Sequence, residues 1–205
     1  MRADSRAKIL TGAQVAFAAG GYRGTIVADI LREAGVARGT FYRYFPGGKF
    51  QAFEALVTRF FRALSQTLED SLRAGGMSGF LQATGGDALT QTFRLYVENH
   101  GVLSVAFGEA FALEPRLFAI WDNFDRAVYE LVQKALEAAA AEGSIRPVDA
   151  SLIARVLVTL FYMTSYRDIV VGQRAEIDVE SMAAEILRLI RGGLAPQGPE
   201  EPSGW

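Results

Sequence analysis

Residues 35–45 read GVARGTFYRYF: one turn glycine, a second glycine, two arginines and four aromatic rings within a stretch flanked by helical patterning. Wound as a helix at 100° per residue, Phe41 and Phe45 fall on one side and Gly39 and Arg43 on the other. Arg38 and Tyr42 share one flank, Thr40 and Tyr44 the other. The phenylalanines are expected to anchor inward against Phe17 and Ile30. The outward set has no packing rationale, since a glycine inside a helix costs about 1 kcal/mol relative to alanine and exposed tyrosines gain little from water. A partner surface accounts for both. Gly39 removes a side chain where something must approach the backbone, arginines offer forked donors to phosphates or guanine edges, and tyrosine hydroxyls reach phosphate oxygens. The expected partner is a DNA duplex.

Working upstream, Thr25 precedes an apolar stripe of Val27, Ile30, Leu31 and Ala34 and reads as a helix cap, with Gly35 turning the chain into the next helix. Two short helices joined by a tight glycine turn fit a helix-turn-helix, whose second helix enters the major groove. Before them, Ile9, Ala13, Ala16 and Phe17 mark a first helix ended by Gly20-Gly21. Charge follows the same division. Residues 1–50 hold eight Lys/Arg against three Asp/Glu, a surplus of five positive charges, while the whole chain is at −2, so the remainder carries −7. A basic head on an acidic body predicts a polyanion partner for the head alone.

Downstream the spacing stays helical and no strand pattern occurs. A long helix is expected over 49–74, a glycine-rich irregular segment over 75–86, and further helices over 87–100, 102–112, 115–142, 149–171 and 178–191. His100-Gly101 reads as a helix end; Pro115 suits a first turn, and Asp149 and Asp178 suit caps. The fold class is all-α: a three-helix head at 1–48, a larger helical body at 49–194 and a disordered tail at 195–205.

With no cysteine and a single histidine in 205 residues, disulfides, thiolate or multi-histidine metal centres and a cysteine nucleophile are all excluded. No clustered carboxylates compensate, so neither an enzyme, a metal nor a cofactor is expected. The charged N-terminus and the lack of a long apolar run predict a cytoplasmic protein without a membrane partner.

The run GYRGTIVADILREAGVARGTFYRYF, residues 21–45, resembles the TetR family of bacterial transcriptional regulators. That resemblance implies DNA contacts from Arg38, Gly39, Thr40, Tyr42, Arg43 and Tyr44, and phosphate contacts from Thr25 and Lys49. Three departures stand out: Ala37 where a serine usually caps the recognition helix, Ile26 where a hydroxyl is common, and one extra residue in 45–49, which bears on Lys49. The resemblance also implies an apolar chamber for a small hydrophobic or aromatic inducer. Its expected lining is Phe107, Phe111, Phe118, Trp121 and Phe124, with polar handles at Asn123, Asp125, Tyr162 and Tyr166, and Arg167 for an anionic ligand.

The helices at 149–171 and 178–191 are apolar around too much of their circumference to face one core. Leu152, Val156 and Leu160 with Met182, Ile186, Leu189 and Ile190 are therefore expected in a homodimer interface. A two-fold dimer would read a palindromic operator, and inducer would release it, making the protein a repressor. The competing reading is a helical small-molecule-binding or scaffold protein that keeps the fold without operator recognition.

Overall fold

The computed structural model describes residues 2–82, 87–171 and 178–196. Every regular element among them is helical: α1 (Arg2–Gly24), α2 (Val27–Ala34), α3 (Arg38–Tyr44), α4 (Gly48–Gln82), α5 (Asp87–Val105), α6 (Phe111–Leu113), α7 (Pro115–Ala141), α8 (Ala150–Ser165) and α9 (Val179–Leu194). Turns of π-helix join α5 to α6 at Ala106–Ala110 and extend α8 over Tyr166–Val171.

The head is α1 to α3 closed by the start of α4. Ile9, Phe17, Ile30, Phe41 and Phe53 are fully buried, and the Phe17 and Phe53 rings meet edge to face at 4.7 Å. α1 and α2 touch so closely at Gly12 that a Cβ there would lie 2.5 Å from the Ala34 backbone nitrogen. Gly35, at φ 61°, ends α2 in the left-handed region and donates its N–H to the Leu31 carbonyl, the turn that the sequence pattern required. α3 begins without a side-chain cap at Ala37, as that departure implied.

α4 passes from head to body. Its first turns carry Ala52, Phe53 and Leu56 into the core, and its later turns bring Phe61, Leu64 and Leu68 to an internal cavity. Around it pack α5, α7, α8 and α9. Asp149 and Asp178 cap α8 and α9 through carboxylate bonds to the Leu152 and Ser181 amides, both 2.9 Å, and Pro115 opens α7.

Two expected helix ends are absent. α5 runs unbroken through His100-Gly101, because Gly101 is the crossing point with α1: a Cβ there would stand 2.9 Å from that of Ala18. α4 is kinked at Gly75 and Gly76, with φ 60° at the second, but resumes as helix to Gln82. The expected irregular segment thus reduces to a kink within the described residues, and 83–86 lie outside them. Thr25 is no cap either, since Ile26 holds that place and Asp29 accepts its N–H at 3.0 Å. α9 ends at Leu194; residues 197–205 of the expected tail lie outside the described residues.

Gly12→Val forces α1 away from α2. A loss of roughly 1–3 kcal/mol, the usual range for overpacking, is expected in chemical denaturation, with exchange of the α2 amides accelerated.

Candidate nucleic-acid interface and ligand chamber

On α3 the wheel is realised. Phe41 and Phe45 are buried, their rings 5.7 Å apart, while Arg38, Gly39, Tyr42 and Arg43 are exposed and Thr40 and Tyr44 half-buried. Nothing lies within 4 Å of where a Gly39 Cβ would stand, so no internal contact requires the glycine. Arg38 lies over the Tyr42 ring at 5.6 Å and Arg43 over Tyr44 at 5.1 Å, which holds both guanidinium groups at the surface beside the phenols.

Thr25 and Lys49 are employed otherwise than expected. Thr25 is 2 % exposed and its hydroxyl reaches the Gly21 and Ala16 carbonyls at 2.7 and 3.1 Å, which closes the end of α1. The Lys49 ammonium donates to the carbonyls of Tyr22 (2.8 Å), Thr25 (2.9 Å) and Arg23 (3.3 Å) and sits 4.9 Å from the Tyr22 ring centre. An ammonium has three N–H donors, and all three are taken here. Both side chains therefore brace the α1–α2 junction instead of offering a hydroxyl or a free charge to phosphate.

The opposite face of that junction is held by the body. Glu109, on the π-helical turn, accepts from the Tyr22 amide and, at 3.4 Å, from that of Arg23; Glu114 accepts from the Tyr22 hydroxyl at 2.9 Å. Burial, then the Glu114 carboxylate, push the Tyr22 phenol far above its ordinary range. Gly21, at φ 68°, is the only residue type that fits, since a Cβ would collide with the Glu109 carboxylate. Arg116 stacks over Phe50 at 4.0 Å beside it. Neither the role of Glu109 nor that of Glu114 was legible in sequence, because the contact spans some 87 positions.

The body holds a cavity of about 130 Å³. Trp121, Phe124, Asp125 and Tyr162 line it as expected. Phe107, Phe111, Phe118, Asn123 and Tyr166 do not. Phe107 instead gathers Phe111, Trp121, Tyr162 and Tyr166 into an aromatic cluster beside the chamber, with centroids between 4.9 and 6.3 Å from its own. Phe118 is 46 % exposed, and Asn123 and Arg167 are also exposed; none of the three is among the described lining residues. The missing walls come from α4, α5 and α9: Phe61, Leu64 and Leu68, then Tyr96, then Ile186 and Ile190. The helical stripe of α4 was visible in sequence, but only the fold shows that part of it faces a void.

Of the residues expected in a dimer interface, Ile186 and Ile190 line the cavity and Met182 packs against the core. Leu152 and Val156, 48 % and 50 % exposed, continue with Leu160 and Met163 along one outer stripe of α8; Leu189 is 66 % exposed on α9.

A family model described as bacterial regulatory proteins of the tetR family matches residues 9–56, the head and the start of α4. Over those residues the chain is similar to the tetR family. The regulator LmrA of Bacillus subtilis is 38 % identical over 71 residues, 35 % of this chain and 38 % of LmrA, so the chain aligns with little more than a third of that relative's length. Fold similarity extends much further. Escherichia coli NemR in its reduced form superposes over 95 % of this chain and 100 % of its own with a TM-score of 0.67 at 19 % identity. Salmonella enterica GusR does so over 92 % and 94 % with a TM-score of 0.67 at 20 % identity. At those identities the likeness shows a shared fold. No helix among the described residues is long and apolar enough to cross a membrane.

Replacing Lys49 by methionine keeps the stem and removes the three donors. Stability should fall by roughly 1–3 kcal/mol as the carbonyls lose their partner, while the salt slope of DNA binding stays unchanged. A phosphate-contacting lysine would lower that slope by about one; parallel denaturation and salt titration separate the roles.

Proposed function

We propose that the protein is a ligand-responsive transcriptional regulator that binds a palindromic operator as a homodimer and, as a repressor, is released by a small hydrophobic inducer. One observation carries the reading: α3 buries Phe41 and Phe45 and leaves Arg38, Gly39, Tyr42 and Arg43 outside with no internal use for the glycine. A duplex uses what this surface offers. The bare backbone at Gly39 admits close approach, and the arginines supply phosphate neutralisation and bidentate base contacts.

Dimerisation is supported by the exposed stripe of α8 with Leu189 of α9, an apolar face lacking a partner among the described residues. Isologous pairing of that face relates two heads by a two-fold axis, and a spacing of about 34–36 Å fits successive major grooves. Regulation runs through α4, which carries both chamber walls, Phe61 and Leu64, and the Lys49 brace of the head. An inducer that prefers a displaced α4 would reposition the heads by its difference in affinity for the two arrangements.

Arg43→Ala is expected to weaken operator binding by about 1–3 kcal/mol, roughly 5- to 150-fold, in fluorescence anisotropy with DNA from upstream of the gene. Gly39→Ala should leave the melting temperature unchanged or higher yet also weaken binding. Unaltered affinity in both variants would remove α3 as the reading element. Independently, Leu152→Glu combined with Val156→Glu should give monomers in sedimentation and abolish tight operator binding; persistent dimers would place the interface elsewhere.

A further inference from the structure

The chamber is almost wholly apolar, yet one carboxylate stands in its wall. Among the described lining residues Asp125 is the only charged one, and it makes no ion pair or hydrogen bond with any described residue. The adjacent Arg126 is paired with Asp122, at 2.7 Å. Two phenols face the same region. The hydroxyls of Tyr96, which is 4 % exposed, and Tyr162 are close enough to feel the Asp125 charge, and neither has a hydrogen-bond partner among the described residues.

An unpaired carboxylate partly withdrawn from water is costly unless a bound group compensates it. Hydrophobic side chains would fill this position at lower cost if the cavity merely stabilised the fold. From this juxtaposition, one unpaired carboxylate in an apolar, aromatic-walled chamber, we propose that the ligand is an amphiphilic organic cation, with its ammonium centre at Asp125 and its apolar body along α4.

The walls suit both ends of such a molecule. Trp121, Phe124 and Tyr162 add aromatic rings to the same lining as the carboxylate, and Leu64, Leu68 and Val132 add apolar wall. An anion would meet Asp125 with no lysine, arginine or histidine among the described lining residues to offset the repulsion; Arg167 is exposed and not among them. Burial, then the nearby Asp122, raise the Asp125 carboxyl above its ordinary range, and burial raises both phenols, as fits a site that lacks its countercharge.

The inference rests on reading this cavity as the inducer site. Calorimetric titration of the full chain with decyltrimethylammonium, decanol and decanoate separates the two claims. The cation should bind at least about tenfold more tightly than decanol, a difference of roughly 1.4 kcal/mol, and decanoate more weakly than either. Asp125→Asn should erase the cation's advantage, leave decanol affinity unchanged, and leave the melting temperature of the unliganded protein equal or higher. Decanol and decanoate matching the cation, or an advantage that survives Asp125→Asn, would overturn the charge assignment while leaving the cavity as a binding site. Binding of none of the three would overturn both.

Discussion

The short backbone between Gly21 and Thr25 is where the molecule is tied together. Its carbonyls accept the three donors of Lys49 from α4, and its Tyr22 and Arg23 amides give to Glu109 from the body. Hydrogen bonds to charged groups are the stronger kind, about 1.5–3 kcal/mol each, and opposite charges serve opposite ends of the peptide units. With both faces of one strand of backbone held in this way, α1 and α2 cannot rotate without disturbing α4 or the π-helical turn. The orientation of α3, packed on them through Phe41 and Phe45, follows from that.

The same arrangement explains how an internal cavity and an external helix face share a structure. α4 is unbroken helix from Gly48 to Ala74, with Lys49 at one end and the chamber walls at Phe61, Leu64 and Leu68 further along. The kink at Gly75 and Gly76 lies beyond those walls, so under the proposed regulation a displaced wall would act on the unbroken part of the helix that leads to the head. Glu109 provides a second link, one residue removed from the aromatic cluster around Phe107, which itself touches Trp121 and Tyr162 of the chamber.

Much of the head was legible in sequence because its signals are local. Phe41 and Phe45 are four residues apart, Gly35 needs a positive φ, and Asp149 and Asp178 cap by reaching three residues forward, all of which a linear reading registers. Glycine misled where its role is spatial: Gly101 admits a neighbouring helix and ends nothing, and no local pattern separates such a crossing from a stop. Lys49 and Thr25 misled for a related reason, since a charged or hydroxyl side chain at a surface-like position can be consumed by backbone acceptors that only the tertiary fold brings near. For the body, apolar periodicity showed which helices have buried faces, but not whether a face such as that of Ile186 and Ile190 meets a cavity or a partner subunit.

Hydrogen exchange of the full-length protein, alone and bound to DNA from upstream of its gene, is the most direct test of the central claim that α3 is the face presented to a duplex. Protection on DNA binding should concentrate over residues 36–46, without comparable change on the outer stripe of α8. Tight binding that leaves those amides unprotected and protects another surface would contradict it.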